Sequence, residues 1–228
     1  MSAASSPKPW EIVEACFEAG AAAPDSLPAS VGVEVAFAGR SNVGKSSLLN
    51  ALVRRRNLVR TSATPGCTRQ INFFRAVARD EAVFRLVDLP GYGYAKRSKA
   101  ERAAWGRLIE HFILERTWLR AVVVLVDVRR GVEEEEEQLI DFVGRRGAGQ
   151  ADPCRVIVVA TKVDRVPKSK RLATLKRFAL PKGARRLGVS AVTGDGLEAL
   201  WREIRRATFV GAEPSSPSPR AAPGDAMH

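Results

Sequence analysis

The sequence predicts an α/β fold: a mostly parallel six-stranded sheet, with one antiparallel strand, covered by helices on both faces. Short apolar runs such as residues 121–126 and 156–160 are typical of parallel strands buried on both faces. They alternate with helical patterns such as residues 105–113, where apolar side chains recur at i, i+3, i+4, i+7 and i+8. Such an alternation favours a doubly wound sheet that binds ligands at the carboxyl ends of its strands.

The remaining strands follow from the apolar runs in chain order. A strand over residues 33–38 ends at a glycine, and strands over 71–78 and 82–87 flank a short polar turn. Residues 187–189 form a short last strand. The apolar patch within residues 10–17 fits either a short helix or a strand packed on the domain.

Helices and loops occupy the intervening segments. One helix begins near Lys45, a basic helix covers residues 168–179, and apolar spacing marks a last helix over 197–204. The acidic run 133–137 begins another helix, because carboxylates stabilise a helix N-terminal turn; no site is assigned to it. Residues 54–70 lack periodicity and form a loop.

Length and composition predict one main domain. The 228 residues divide into an N-terminal extension, partly mobile, over 1–30, the domain over 31–211, and a disordered Pro/Ser-rich tail over 212–228. No apolar run is long enough for a membrane span and no secretory signal precedes the domain, so a cytoplasmic protein is expected. Three scattered cysteines show no metal-binding spacing, and Cys154 is expected in the core.

The chain contains 37 lysines and arginines and 25 aspartates and glutamates, which gives a net charge of +12. Residues 54–75 contain six arginines and no acid, and residues 165–206 contain twelve basic residues against three acids. This clustering favours a polyanionic partner such as RNA. The alternative is an ordinary solvated surface.

A phosphate-binding motif follows the strand over residues 33–38. Glycines at both ends of the loop allow close approach of backbone amides, the lysine brings a positive charge to the β- and γ-phosphates, and the final serine offers a hydroxyl to Mg²⁺. The motif predicts a nucleoside triphosphate site of the P-loop NTPase type. Its residues are Gly39, Arg40, Ser41, Asn42, Val43, Gly44, Lys45 and Ser46.

Three further motifs also stand at strand ends. In Thr161-Lys162-Val163-Asp164, a carboxylate can accept from guanine N1–H and the 2-amino group, a pair of donors that adenine lacks. Asp88-Leu89-Pro90-Gly91 places Asp88 on the metal side and the Gly91 amide near the γ-phosphate. Val189-Ser190-Ala191 brings the Ala191 amide toward guanine O6. Together they predict GTP and GDP as ligands.

The strings F-A-G-R-S-N-V-G-K-S-S-L-L-N at 37–50, T-P-G-C-T-R-Q-I-N-F-F at 64–74 and D-L-P-G-Y-G-Y-A-K at 88–96 carry a specific resemblance. The chain resembles the EngB family of bacterial ribosome-biogenesis GTP-binding proteins, over roughly residues 10–210. The resemblance implies a three-layer, Ras-like G domain. It also implies a GTPase, expected to be monomeric, that acts late in assembly of the large (50S) ribosomal subunit and is needed for normal division and septation.

Carried over by position, the resemblance implies Mg²⁺ held by Ser46 and Thr68, with Thr64 as the competing threonine. The first switch segment would be Gly66, Cys67, Thr68, Arg69 and Gln70. The second would run from Asp88 to about residue 95.

Intrinsic hydrolysis is expected to be slow. Tyr92 stands where Ras-like proteins carry a water-orienting glutamine, so Lys45, Gly91 and the loop amides are left as the catalytic groups. Asn42 either holds an activating K⁺, as in related GTPases, or only tolerates a tight loop. Two other functions stay open: a GTP-dependent binding module in which hydrolysis is incidental, and a regulator acting directly on septum proteins.

Overall fold

The computed structural model describes residues 7–59, 70–92, 99–146, 154–178, 180 and 186–209. Within these residues seven strands form one sheet in the order β1-β3-β4-β2-β5-β6-β7. The strands are β1 (Ile12–Ala21), β2 (Val33–Gly39), β3 (Ile71–Ala78), β4 (Val83–Asp88), β5 (Leu119–Asp127), β6 (Arg155–Thr161) and β7 (Arg186–Gly188). The five helices of the same residues are α1 (Lys45–Leu52), α2 (Lys99–Glu115), α3 (Glu134–Arg146), α4 (Lys168–Lys176) and α5 (Leu197–Thr208).

The mostly parallel α/β sheet is confirmed, but the predicted count of six strands was one too low. The additional strand is β1, which pairs antiparallel with β3 along its length. Strand β3 is antiparallel to β4, while β4, β2, β5, β6 and β7 pair in parallel. The segment 10–17, which fitted either a helix or a strand, therefore lies in the strand at one edge. The predicted domain boundary at residue 30 stays a prediction.

Helices cover both faces of the sheet. Helices α1 and α5 pack on one face through buried residues such as Leu48, Trp201 and Ile204. Helices α2 and α3 pack on the other face through residues such as Phe112 and Ile140. Residues 121–126 of β5 point alternately into these two cores, and all six are apolar because neither face meets water.

A buried ionic cluster connects the N-terminal segment to the sheet near the start of β2. The side chain of Glu34, on β2, is fully buried between Arg85 and Arg116. Arg116 Nε donates to Glu34 Oε2 at 2.9 Å, and Arg85 Nη1 donates to Glu34 Oε1 at 3.2 Å. Arg85 Nη1 also donates to the carbonyl of Ala29 at 2.8 Å. Both guanidinium groups share the Glu34 carboxylate, and Arg85 also pairs with Glu18 of β1. The cluster lies at the opposite end of β2 from the phosphate motif and stabilises the fold there.

Candidate nucleotide-binding site

The predicted motifs lie together at one end of the sheet, where the parallel strands have their carboxyl ends. Strand β2 ends at Gly39, β4 ends at Asp88, β5 ends at Asp127 and β6 ends at Thr161. Parallel strands end at the same edge, so residues far apart in sequence become neighbours there. The Asp88 and Thr161 motifs therefore flank the phosphate motif from opposite sides, through β4 and through β5–β6.

The phosphate loop has the backbone geometry that the glycines were predicted to provide. Gly44 adopts φ +102°, a conformation that side chains strongly disfavour, and α1 begins at the next residue. At Gly39, a Cβ atom would lie 2.9 Å from Val43 Cγ1 and 3.0 Å from the carbonyl oxygen of Leu125. A larger residue at position 39 would therefore push the loop away from the sheet.

Asn42 lies at the exposed tip of this loop with φ +65°. Asparagine tolerates this left-handed conformation better than most residues. Its carbonyl oxygen accepts a hydrogen bond from Lys162 Nζ at 2.7 Å. The structure thus shows the tight loop conformation that was one of the two interpretations of Asn42, and a K⁺ site stays a prediction.

Lys45 and Asp88 meet at the base of the loop. The ammonium group of Lys45 contacts Asp88 Oδ1, and Asp88 is only 1% exposed. Ser46 follows Lys45 in the first turn of α1 and is half-buried. The described residues contain no cluster of three acidic, histidine or cysteine side chains that could enclose a metal. This sparse set fits Mg²⁺, which takes one or two protein ligands and completes its shell with phosphate oxygens and water.

The loop after β4 packs directly against the phosphate loop. Ser41 N donates to the carbonyl of Tyr92 at 3.1 Å, and Leu89 N donates to the carbonyl of Phe37 at 3.0 Å. A Cβ atom at Gly91 would lie 3.1 Å from Ser41 Oγ and 3.2 Å from Ser41 N. The absence of a side chain therefore lets Gly91 approach the phosphate loop, as its predicted role requires.

Tyr92 points into the protein core. The residue is 7% exposed and belongs to the apolar cluster beneath α2 and α3. Burial, reinforced by the neighbouring Glu136, raises the pKa of the Tyr92 hydroxyl far above its ordinary value. Tyr92 therefore packs inside the protein and does not face solvent.

The acidic run that begins α3, to which no site was assigned, contacts the phosphate loop. Arg40 Nη1 donates to Glu133 Oε2 at 2.5 Å and lies 3.3 Å from Glu135 Oε2. Glu136 is buried, accepts from Glu133 N at 2.9 Å, and has a pKa raised by that burial. Local sequence carried no signal for these contacts, because Arg40 and Glu133 are 93 positions apart.

A cleft with a volume of about 190 Å³ opens beside the phosphate loop. The predicted base-reading residues Thr161, Lys162, Asp164, Val189 and Ala191 line it, together with Gly44. Sequence analysis did not single out its other lining residues, which are Ser47, Leu48, Arg165 and Val192. The cleft thus brings the base-reading motif and the last strand's motif together against the phosphate loop.

Two predicted residues support the cleft from beneath. Ser190 is buried, and its Oγ accepts from Val192 N at 3.2 Å and Thr193 N at 3.1 Å, which holds the turn after β7. Val163 is also buried, and its N–H donates to the carbonyl of Val189 at 3.2 Å.

A network of hydrogen bonds connects the base-reading loop to the phosphate loop. Thr161 Oγ1 is buried and donates to the carbonyl of Val43 at 2.7 Å. Lys162 Nζ bridges the Asn42 carbonyl and Asp127 Oδ2, the latter at 3.0 Å. Arg129 binds the same aspartate through Nε at 3.0 Å and Nη2 at 2.9 Å. The hydrogen bond from Arg129, with a smaller contribution from Lys162, holds the pKa of Asp127 well below its usual range.

Part of the predicted site lies outside the described residues: Gly66, Cys67, Thr68, Arg69, the competing Thr64, and residues 93–95 of the second switch segment. Gln70 is described, and its Nε2 donates to Asn72 Oδ1 at 2.9 Å beside Gly20 of β1. The expectation for Cys154 is confirmed: it is buried, and burial raises the pKa of its thiol to about 11.

Comparisons with known proteins agree with this geometry. The family described as 50S ribosome-binding GTPase matches residues 34–162. The probable GTP-binding protein EngB of Anaeromyxobacter dehalogenans (strain 2CP-C) is 43% identical over 205 residues, covering 86% of this chain and 92% of that protein. Its namesake in Desulforapulum autotrophicum is 45% identical over 175 residues, which is 75% of this chain and 85% of that one.

Solved structures show the same fold. Era of Aquifex aeolicus, solved with GDP and aluminium fluoride, superimposes with a TM-score of 0.62 at 25% identity over 78% of this chain. This chain spans 57% of that Era chain. A crystal structure of a probable GTP-binding protein EngB gives a TM-score of 0.57 at 24% identity, covering 77% of this chain and 98% of that one.

None of the described helices is both long and apolar enough to cross a membrane. The phosphate loop, the adjoining cleft, the family match and the curated relatives all point to one assignment. The chain belongs to the EngB family of GTP-binding proteins.

Proposed function

We propose that this protein is a GTP-driven switch in late assembly of the large (50S) ribosomal subunit, with slow intrinsic hydrolysis of GTP to GDP and phosphate. The observation that carries the nucleotide part is the cleft lined by Asp164 and Lys162 directly beside Gly44 of the phosphate loop. A base bound in the cleft would place its phosphates at the N-terminus of α1. The role in assembly, in cell division and septation, and a cytoplasmic monomeric state are supported by the family resemblance.

In this proposal the residues position and neutralise rather than react covalently. Asp164 accepts from guanine N1–H and the 2-amino group, and the Ala191 amide faces O6. Lys45 and the loop amides bind the phosphates, and the Gly91 amide reaches the γ-phosphate. Ser46, with Thr68, would hold Mg²⁺, which neutralises charge on the β- and γ-phosphate oxygens when bound.

The environment of Tyr92 supports the slow hydrolysis in this proposal. Its side chain is buried under the loop and next to Glu136, so it does not reach a water molecule at the γ-phosphate. The group that assists attack of water on the γ-phosphate must therefore lie outside the described residues, belong to a bound partner, or be a K⁺ ion at Asn42. The exposed position of Asn42 at the loop tip is compatible with such an ion.

Hydrolysis assays with purified large ribosomal subunits test the proposal. We expect turnover to rise when subunits are added, and to fall when Na⁺ replaces K⁺. If turnover is unchanged in Na⁺, the K⁺ site at Asn42 is refuted, and the rest of the proposal stands. Depletion of the protein in cells should cause immature large subunits to accumulate before septation fails. Normal ribosome profiles together with a septation defect would instead favour direct action on division proteins.

A further inference from the structure

The exposed surface of α4 carries an excess of positive charge. Residues 165–194 contain nine lysines and arginines and no aspartate or glutamate. Five of these basic residues are exposed and flank or belong to α4, and we call them the α4 face: Arg165, Lys168, Lys170, Lys176 and Arg177.

The protein itself pairs little of the charge on the α4 face, although Lys168 adds to the stronger effect of Arg171 in lowering the pKa of Asp195. Within the described residues, no salt bridge involves any of its five members, and Arg171 alone on α4 pairs with an acid, Asp195, at 2.8 Å. Most basic residues elsewhere behave differently. Arg54 and Arg75, from the other arginine-rich stretch, pair with Glu11 and Glu14 of the N-terminal segment at 2.8 and 3.0 Å.

Helix α4 is also turned outward. None of its residues is buried, and it rests on β7 mainly through Leu175, whose Cδ1 would lie 3.1 Å from a Cβ atom at Gly188. Leu172 is 66% exposed and is the only large apolar side chain that α4 presents to solvent. A helix that binds a lipid surface needs a continuous apolar face, which α4 lacks. Its charge without such a face suits the phosphate backbone of a nucleic acid.

The position of the α4 face separates it from the switch segments. Those segments adjoin β3 and β4, whereas α4 connects β6 and β7 at the other edge of the sheet. Four strand spacings separate β4 from β7, which is about 19 Å at ~4.8 Å per strand. A γ-phosphate bound at the phosphate loop after β2 would lie three strand spacings from β7, or about 14 Å. This distance exceeds the Debye length of ~8 Å at physiological salt, so the charge of the γ-phosphate is largely screened at the α4 face. Arg165 connects the α4 face to the base cleft, whose occupant is the same guanine in GTP and GDP.

We propose that the α4 face binds the phosphate backbone of RNA, with the same strength in the GTP-bound and GDP-bound protein. The identity of the RNA as ribosomal rests on the proposed function, but the contact itself does not. In this arrangement the α4 face supplies constant affinity, and the switch segments at the other edge supply the part that depends on the nucleotide.

The test compares two triple variants that remove the same charge. One is Lys168→Gln/Lys170→Gln/Lys176→Gln. The control is Arg75→Gln/Arg202→Gln/Arg206→Gln, which removes exposed arginines already paired with acids. Binding of a fluorescein-labelled RNA stem–loop is followed by anisotropy across a salt series, with the protein loaded with GDP or with a non-hydrolysable GTP analogue.

Loss of three phosphate contacts should reduce the salt slope by about 2 and the affinity by about 50-fold at ~0.15 M salt, at roughly 0.7 counterions per contact. The loss should be equal in both nucleotide states, while the control changes affinity by less than about threefold. Because coupling is reciprocal, the stem–loop should leave the affinities for GDP and GTP unchanged.

Three results would overturn the inference: equal losses in the two triple variants, a loss confined to the GTP state, or tighter binding to phosphatidylglycerol vesicles than to RNA. Nucleotide binding by the α4 variant is measured in parallel and should match that of the wild type. If the wild type ignores large subunits while the α4 variant still loses the stem–loop, the ribosomal role fails and this inference stands.

Discussion

Lys162 is expected to hold the phosphate loop in its binding conformation as well as to flank the base. Its Nζ donates to the Asn42 carbonyl at 2.7 Å and to Asp127 Oδ2 at 3.0 Å, and its side chain is 26% exposed. The change Lys162→Met keeps the aliphatic stem along the cleft and removes only the ammonium group. Asp127 retains its hydrogen bonds from Arg129, so the loss falls mainly on the loop carbonyl.

A hydrogen bond from a charged group contributes about 1.5–3 kcal/mol. Its loss lets the loop leave the binding conformation, and affinity falls in proportion to the remaining population of that conformation. We therefore expect the dissociation constants of GTP and GDP to rise together by roughly tenfold or more, which corresponds to at least about 1.4 kcal/mol. The free energy of unfolding of the nucleotide-free protein should fall by a similar amount.

Titration with fluorescent GTP and GDP analogues, together with urea unfolding, measures both quantities. Lys176→Met, the same change at an exposed position of α4, is the matched control and should alter neither by more than about twofold. Dissociation constants of the Lys162 variant within twofold of wild type would refute this role. So would a loss for GTP alone, because the contact is to a loop that both nucleotides occupy.

Three other changes test the surroundings of the site. Tyr92→Gln should not accelerate GTP hydrolysis, because position 92 faces the core, and should lower the unfolding free energy by roughly 2–4 kcal/mol through loss of aromatic packing; a rise in turnover of tenfold would contradict the buried orientation. Glu34→Ala leaves Arg85 and Arg116 buried without their shared carboxylate, so urea unfolding should report a loss of about 3–5 kcal/mol while GTP affinity of the folded protein stays unchanged. Glu136 has a pKa raised by burial, so its protonated form favours the folded state: this contribution is full below the unfolded pKa near 4.5 and is lost as pH rises through the folded pKa. Glu136→Gln should therefore flatten the decline of stability with rising pH in that window, and an unaltered pH profile from thermal melts would show that Glu136 does not titrate as inferred.

Patterns of local origin allowed the sequence to predict most of the fold. Strands such as β5 and β6 are buried on both faces, so their apolar runs are unbroken and end at polar motif residues. Asp88, Thr161 and Lys45 could be placed at strand or helix ends because each motif directly follows or begins an element. The strand β1 could not be assigned, because it lies at the sheet edge and carries polar residues between its apolar ones.

The sequence did not predict the contacts between segments that are distant along the chain. The acidic run 133–137 was correctly placed at a helix start, but its pairing with Arg40 depends on how α3 packs against β5 and β6. The contact between Lys162 and Asn42 spans 120 positions and likewise arises from the parallel sheet. The basic residues of 54–75 and 165–206 look alike in the sequence, but in the structure two arginines of the first stretch, Arg54 and Arg75, pair with acids of the N-terminal segment.

We expect Asp164 to select guanine in the cleft beside the phosphate loop. Competition of fluorescent GTP binding with GDP, ATP and XTP, for the wild type and Asp164→Asn, tests it most directly. The asparagine amide keeps one acceptor oxygen but sets its NH2 group against the guanine 2-amino group. The lost charged hydrogen bond, at about 1.5–3 kcal/mol, should weaken GTP binding by about tenfold or more. XTP binding should strengthen, because the asparagine amide can donate to the 2-oxo group. Equal binding of ATP and GTP by the wild type, or no gain of XTP by the variant, would contradict the assignment of the cleft.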